Sequence, residues 1–254
     1  MSHFSVAVFS YTPDDVEDLL APYCESPENS EYLGFKEASI PMGEIHSTFE
    51  REKEPGETLK DFVNRWYGYT YNEKLGVCEY LCNPSAKWDW WQLGGRWSDK
   101  LKLKPGCMGN RGSRSRTNST ELPKDGYCDQ AQIKDVDFSM DLKAYNEAIR
   151  FWEVVVEGDD IRENEDPAQF NTFYRREYYL KQFRDKERYA RSYASFTTWA
   201  LITPNGEWYE NGEMGWFGVP NATDESRAEY ERVLQRTLSE GDPNLWISII
   251  DCHI

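Results

Sequence analysis

The sequence predicts an α+β fold in which both ends of the chain contribute to one sheet. Residues 3–10 and 245–252 are β-branched or aromatic with little charge, as is typical of buried strands. Strand and helix patterns at the two ends follow the order β-α-(insertion)-β-β-α-β, which matches the ferredoxin-like βαββαβ pattern. Another α+β fold that shares the terminal strands is the alternative. The prediction is a single domain over 1–254, with a core of 1–23 and 195–254 and a long, mostly helical insertion over 24–194.

The first half of the chain contains two helix signals separated by acidic sequence. Thr12 and Pro13 are an N-cap and first-turn pair, and they predict a short helix that ends near Pro22. Residues 24–57 are acidic with scattered Pro and Gly, and we interpret them as irregular. An amphipathic helix then ends at Gly68 and has its apolar stripe at Leu59, Phe62, Val63 and Trp66.

The second half of the chain begins with a predicted loop and returns to regular structure. Residues 107–126 are rich in Gly, Ser, Arg and Asn, which indicates a mobile loop. Helical spacing resumes at 139–157, and a further helix is predicted from Asp166 towards 191. The turn residues Pro204-Asn205-Gly206 predict a hairpin. The elements predicted around and after this turn are a strand over 196–203, a strand over 207–210, a helix over 224–239 capped by Asp224, and the last strand.

The charge of the chain limits its partners. The formal net charge is -16, which argues against binding to duplex nucleic acid or to an anionic membrane. No apolar run approaches the roughly 20 residues of a membrane span, and the first residues lack the features of a signal peptide. Six cysteines are then expected to be thiols in a reducing compartment.

A basic segment stands out against this acidic background. Residues 1–60 hold 13 acidic and 4 basic side chains, a net charge of -9. Residues 96–118 hold 7 basic and 1 acidic, a net charge of +6. The basic segment therefore indicates where an anion could bind.

The block that precedes this segment, Trp88 to Trp97, is the main candidate binding site. Two glycines let the backbone approach a ligand closely, the arginine after them can bind a phosphate or carboxylate, and the flanking indoles can stack on a base. The glycine-rich segment 212–218 could line the same pocket. The alternative is a tight turn with Trp rings in the core and Arg96 paired to Asp89 or Asp99. The candidate ligand-binding residues are Trp88, Asp89, Trp91, Gln92, Gly94, Gly95, Arg96, Trp97, Lys102, Lys104, Glu213 and Trp216.

Two further groups of residues bear on metal binding and catalysis. If the terminal strands are neighbours, His3 lies near Cys252 and His253, which with Asp251 are metal-type ligands. Strand-end His and Cys are usually structural, so we predict neither a metal nor a cofactor. The stretch His46-Ser47-Thr48-Phe49 resembles one half of the paired signature of 2H phosphodiesterases. A second half is missing, which counts against that assignment.

Several of these motifs occur together in one family. The segments that carry the likeness are Met1 to Phe4, Lys87 to Trp97, Leu101 to Gly106, Gly212 to Gly218 and Asp251 to Ile254. On these segments the chain resembles a family of uncharacterised proteins carried by bacteriophages and prophages. Tyr often stands at the position of Trp91 in that family, which leaves ring stacking available. The resemblance implies an accessory phage protein made in the cytoplasm of a bacterial host.

These observations lead to one functional hypothesis and two alternatives. The first is an accessory protein that counters a bacterial defence by binding an anionic nucleotide-like ligand or a defence protein. The second is a nucleotide-processing hydrolase or transferase, with or without a metal. The third is an inhibitor that binds a host defence protein through the acidic residues 14–57. Catalytic candidates for the second are Asp89, Glu213, His46 and the pair His3 and His253.

Overall fold

The described part of the chain has an α+β fold. A computed structural model describes residues 2–115, 122–214, 220–221 and 223–254, with only the backbone at 213, 214, 220, 221 and 224. The α-helices are α1 Val16–Leu20, α2 Met42–Glu52, α3 Leu59–Tyr67, α4 Leu142–Trp152, α5 Arg176–Phe183, α6 Lys186–Ala194 and α7 Asp224–Glu240. The strands are β1 His3–Ser10, β2 Gly34–Glu37, β3 Thr70–Asn72, β4 Val77–Cys82, β5 Trp90–Gly95, β6 Leu101–Lys102, β7 Ser113–Arg114, β8 Tyr127–Cys128, β9 Gln130–Gln132, β10 Ala200–Ile202, β11 Trp208–Glu210, β12 Glu213–Met214, β13 Pro220–Asn221 and β14 Trp246–His253.

Strands β1 and β14 are antiparallel neighbours, as the sequence predicts. Their register runs without interruption from His3 opposite His253 to Ser10 opposite Trp246. Every residue of β1 after His3 is buried. The two most apolar segments of the sequence therefore form the centre of the main sheet, where both faces can be covered.

The order of strands in the main sheet does not confirm a ferredoxin-like topology. The sheet has seven strands in the order β11-β10-β1-β14-β5-β7, and β9 also pairs with β14. Strand β10 lies directly beside β1 and parallel to it, with Val6 opposite Ala200. In a ferredoxin-like sheet another strand separates these two parallel strands. The hairpin strand β11 instead lies at the outer edge, paired with β10.

The insertion over 24–194 is less helical than predicted, and it contributes to the main sheet. Strands β5, β7 and β9 all come from this insertion and extend the sheet beyond β14. Strands β2, β4 and β3 form a separate three-stranded sheet. The region 24–57, predicted to be irregular, contains both β2 and α2. Helix α2 was missed because its many charged residues hide a short apolar stripe, in which Ile45 and Phe49 pack with Phe62.

Three predicted helix boundaries also need correction. Helix α1 begins at Val16, with Asp15 rather than Thr12 at its N-cap position. The helix expected from Asp166 towards 191 is a single 3-10 turn, Pro167–Phe170, followed by α5 and α6. Arg184 adopts a φ of 67° between α5 and α6, and Asp185 caps α6 by accepting a hydrogen bond from Arg188 N. Helix α7 is capped by Thr223 rather than by Asp224.

The two faces of the main sheet have different coverings. On one face, Phe4, Val6 and Val8 pack with residues of α1 and with Trp88. On the other face, α7 covers one half of β1 and β14. The residues that pack against it there are Ala7, Phe9, Ile247 and Ile249. Towards His3 and His253 the same face becomes polar. No helix in the described residues is long and apolar enough to cross a bilayer.

All six cysteines are free thiols, and the most buried ones belong to the sheets. Burial raises the pKa of Cys128 to about 11. Burial also raises the pKa of Cys252 well above its usual value. Because the thiolate is the reactive form, these two residues should be chemically inert in the folded protein.

We therefore predict a graded alkylation of the thiols. At pH 8, iodoacetamide should label Cys24 and Cys82 first, while Cys128 and Cys252 should react only after unfolding in urea. Peptide mass spectrometry of samples quenched over time measures each rate. Labelling of Cys252 as fast as Cys24 in the native protein would show that β14 is not enclosed as described.

Candidate functional site

Strand β5 carries the tryptophan-rich block, and its alternation divides the rings between two environments. Trp91 and Leu93 point into the core beneath α1, and Trp88 joins them there. The Trp88 Nε1–H donates to the carbonyl oxygen of Leu20 at 3.2 Å. Trp90 points the other way and is 46% exposed. Trp88 is thus a core residue and Trp91 packs, partly buried, on the core. Trp90, inside the candidate block but not one of its predicted ligand-binding residues, is the exposed ring.

The two glycines that end β5 are required by neighbouring carboxylates of the protein itself. Gly94 and Gly95 have φ values of 77° and 57°. A Cβ on Gly95 would lie 2.3 Å from Asp251 Oδ2, and one on Gly94 would lie 2.7 Å from Asp129 Oδ2. These glycines were predicted to let a ligand come close to the backbone. The buried side chains of Asp251 and Asp129 occupy that space instead.

Asp251 is the centre of the hydrogen bonds at this turn. Its side chain is fully buried. Oδ2 accepts from the backbone N–H of Arg96 at 2.9 Å and from Gln92 Nε2 at 3.4 Å. Oδ1 bonds to His3 Nδ1 at 2.8 Å. One carboxylate thus joins β1, β14 and the glycine turn.

Asp129 fixes the other side of the same turn. Its carboxylate accepts from the backbone N–H of Asp99 at 2.7 Å and of Gly112 at 2.8 Å. Burial raises the pKa of Asp129, while these two hydrogen bonds act in the opposite direction. The Asp99 carboxylate in turn accepts two hydrogen bonds from Arg114, at 2.7 and 2.9 Å. Part of the basic segment is therefore used inside the protein.

A second carboxylate–histidine pair lies next to the first. His253 Nδ1 bonds to Asp89 Oδ1 at 2.6 Å. The rings of His3 and His253 lie edge to face, with centroids 5.0 Å apart, and the Trp90 ring lies 6.2 Å from that of His3. We call His3, Asp89, Trp90, Asp251 and His253 the histidine face. The strand pairing places four of them on one side of the sheet, and Asp89 bonds to His253 there.

The geometry leaves one nitrogen of each histidine available. A carboxylate on Nδ1 fixes the ring orientation and the tautomer, and it leaves Nε2 to act on a ligand. Neither Nε2 has a hydrogen-bond partner among the described residues, and both side chains are partly exposed. Two such nitrogens on one face are suited to moving protons or to holding an anion.

The metal-type ligand set that the chain ends suggested does not come together. Cys252 lies on the opposite face from His3 and His253, buried against Phe4 and Ile250. Within the described residues, no group of three or more His, Cys, Asp or Glu side chains is placed to hold a metal ion. His46 is exposed on α2 and belongs to neither carboxylate–histidine pair.

The remaining candidates divide into one free cation and several engaged residues. Arg96 is exposed, and its guanidinium makes no hydrogen bond or ion pair with the described residues, so neither suggested pairing, with Asp89 or Asp99, is present. Lys102 pairs with Asp137 at 2.6 Å, and Lys104 donates to Lys134 O at 2.6 Å. Trp97 packs on the core cluster beneath α7. Trp216 and the side chain of Glu213 lie outside the described residues.

Comparison with known proteins adds no relative to this description. No family model, curated protein or solved structure matches the chain. The candidate site is therefore interpreted from its own geometry.

The glycine turn makes a prediction about stability. We expect Gly95→Ala to lower the free energy of unfolding by about 3 kcal/mol or more, because the new Cβ displaces the buried Asp251 carboxylate. Gly106 is the matched control, since it also has a positive φ of 82° but nothing within 4 Å of a built Cβ. Gly106→Ala should cost only about 1 kcal/mol of backbone strain. Urea unfolding followed by circular dichroism measures both, and equal losses would contradict the described contact.

Proposed function

We propose that the protein binds an anionic, nucleotide-like ligand at the histidine face and processes it by acid–base chemistry, as a hydrolase or transferase. The observation that supports this proposal is the pair of carboxylate-held histidines with ring centroids 5.0 Å apart. Structural histidines at strand ends do not require a carboxylate on each Nδ1 and an accessible Nε2. Acid–base catalysis makes use of both, because the ring must be oriented and one nitrogen must reach the substrate.

Neighbouring residues fit the recognition of a nucleotide. The exposed Arg96 guanidinium can bind a phosphate through two hydrogen bonds. Its backbone is fixed by Asp251, the same carboxylate that orients His3. The half-exposed Trp90 ring offers a surface on which a base can stack. An arginine whose backbone is held by Asp251 and an indole beside His3 thus accompany the two histidines.

The proposed step is hydrolysis or transfer at a phosphoester. One histidine, as neutral imidazole, takes through Nε2 the proton of a water or of an acceptor hydroxyl. That oxygen forms a new bond to phosphorus while the bond to the leaving oxygen breaks. The other histidine, as imidazolium, gives its Nε2 proton to the leaving oxygen. The two rings exchange protonation states, and Asp251 and Asp89 keep their hydrogen bonds to Nδ1.

Turnover of a nucleotide panel tests this proposal. The panel should contain nucleoside mono- and triphosphates, dinucleotides and cyclic nucleotides, each assayed with EDTA and with divalent metals. His3→Asn and His253→Asn should each lower kcat by about 100-fold or more, because general acid or base catalysis is worth roughly that factor. His46→Asn, at an exposed histidine elsewhere, should leave kcat unchanged. Activity that survives both substitutions in a folded protein would reject the acid–base pair.

A second candidate function is capture of the ligand without turnover. It is favoured by the Arg96 guanidinium, which has no partner among the described residues, so an anion can reach it without breaking a described pair. In this case the protein would be an accessory phage protein that removes a signalling nucleotide or binds a defence protein in the bacterial cytoplasm. That biological setting is a proposal drawn from the sequence resemblance.

Calorimetry against the same nucleotides separates the two candidates. We expect Arg96→Ala to weaken binding by about 10-fold or more, since a charge-assisted hydrogen-bonded contact is worth about 1.5–3 kcal/mol. Arg232→Ala is the control, because Arg232 is also exposed and forms a surface pair with Glu229. Binding without turnover supports capture. Equal affinities for the wild type and Arg96→Ala would remove Arg96 from both candidates. A complex made through the acidic residues 14–57 would instead weaken with added salt.

A further inference from the structure

A long aromatic groove lies on the helical part of the insertion, formed by other residues than those of the histidine face. It runs between α4, the segment 164–174, α5 and α6, with a volume of about 1290 Å³. This is larger than the roughly 300–1,000 Å³ typical of small-molecule pockets, so an extended ligand fits it better. The aromatic lining residues that are exposed or partly buried are Phe151, Phe173, Tyr174, Tyr178, Phe183 and Tyr193. Phe170, Tyr179 and Tyr189 are buried beneath them.

The charges of the groove cancel within the protein. Arg150 binds Glu165 through two hydrogen bonds, at 2.7 and 2.9 Å. Lys143 and Glu147 form an exposed pair on the rim at 3.7 Å. No other charged side chain lines the groove within the described residues. A phosphate-rich ligand would therefore find no unpaired cation there, which separates this groove from the site beside Arg96.

Uncharged hydrogen-bonding groups accompany the rings. The side-chain amides of Asn146, Asn164, Gln169 and Asn171 line the groove and have no hydrogen-bond partner among the described residues. Each amide offers two donors and one acceptor. The rings of Tyr174 and Tyr178 stack with centroids 4.0 Å apart, and Phe173 is fully exposed beside them. A complementary ligand is therefore neutral, rich in carbonyl oxygens and flat enough to pack on rings.

We infer that the groove binds an extended, proline-containing segment of a partner protein. A polyproline II segment has no internal hydrogen bonds, so its carbonyl oxygens remain free to accept from the amides and tyrosine hydroxyls. Its pyrrolidine rings pack on aromatic faces, and aromatic-lined grooves are the usual receptors for such segments. Because the segment is already extended, little conformational entropy is lost on binding. This binding activity is independent of the chemistry proposed for the histidine face.

NMR titration of the full-length protein with decaproline tests the inference. Decaproline should give saturable shifts at the aromatic residues of the groove, and a Gly-Ser peptide of the same length should give none. Phe173→Ala should weaken binding by about 10-fold, because a truncated aromatic contact at the centre of such an interface is worth about 1–2 kcal/mol. Phe35→Ala is the control, since Phe35 is 64% exposed in β2, outside the groove.

Three results would overturn the inference. Absence of saturable shifts with decaproline would remove the polyproline ligand. Binding that Phe173→Ala and a second variant, Gln169→Ala, both leave unchanged would place it elsewhere on the protein. A linear oligosaccharide such as maltoheptaose that saturates the groove when decaproline does not would assign it to glycans. Circular dichroism of the variants confirms that each one is folded.

Discussion

The antiparallel pairing of β1 with β14 is the contact on which the rest of the described structure depends. It unites the two most apolar segments of the chain in the centre of the sheet, and its register sets His3 opposite His253. Strands β10 and β5 add on either side of this pair. A shift of the register by one residue would turn every side chain of one strand to the opposite face. That shift is opposed by the difference between the faces, since it would exchange the polar Ser5 and Asp251 with the apolar Phe4 and Ile250.

The buried Asp251 carboxylate connects this strand pairing to the residues of the candidate site. Removing a carboxylate from water is costly unless hydrogen bonds replace its hydration. Here the replacement donors are the backbone of Arg96, the amide of Gln92 and the ring of His3, so one group of β14 fixes both β1 and the end of β5. The glycine at 95 makes the approach possible. The Asp251 carboxylate therefore both stabilises the fold and orients His3 in the candidate site.

Local sequence patterns predicted the elements better than their arrangement. The terminal strands and α3 were recognisable from burial and periodicity, and both are present as expected. Strand order could not be predicted in this way, because whether β10 or β11 lies beside β1 depends on long-range packing. Helix α2 was hidden by charged residues, as only Ile45 of the helix is fully buried.

For the candidate site as well, the sequence showed which residues to consider but not how the strands would arrange them. The block from Trp88 to Trp97 was identified from its composition, but composition did not show which of its rings would be buried. Trp88 and the glycines serve the core and the turn, whereas Trp90 is the exposed ring. The His–Asp pairs could not be found from spacing, since Asp89 and His253 are 164 positions apart. Only the pairing of the terminal strands and β5 brings them together.

The distance along the chain between the two histidines has a consequence for biosynthesis. Strand β1 leaves the ribosome early, but its antiparallel neighbour β14 is made some 240 residues later. Until then one long edge of a very apolar strand has no partner, and such edges promote association with other chains. The nascent protein should therefore need protection by chaperones, and the candidate site can assemble only after translation has passed His253.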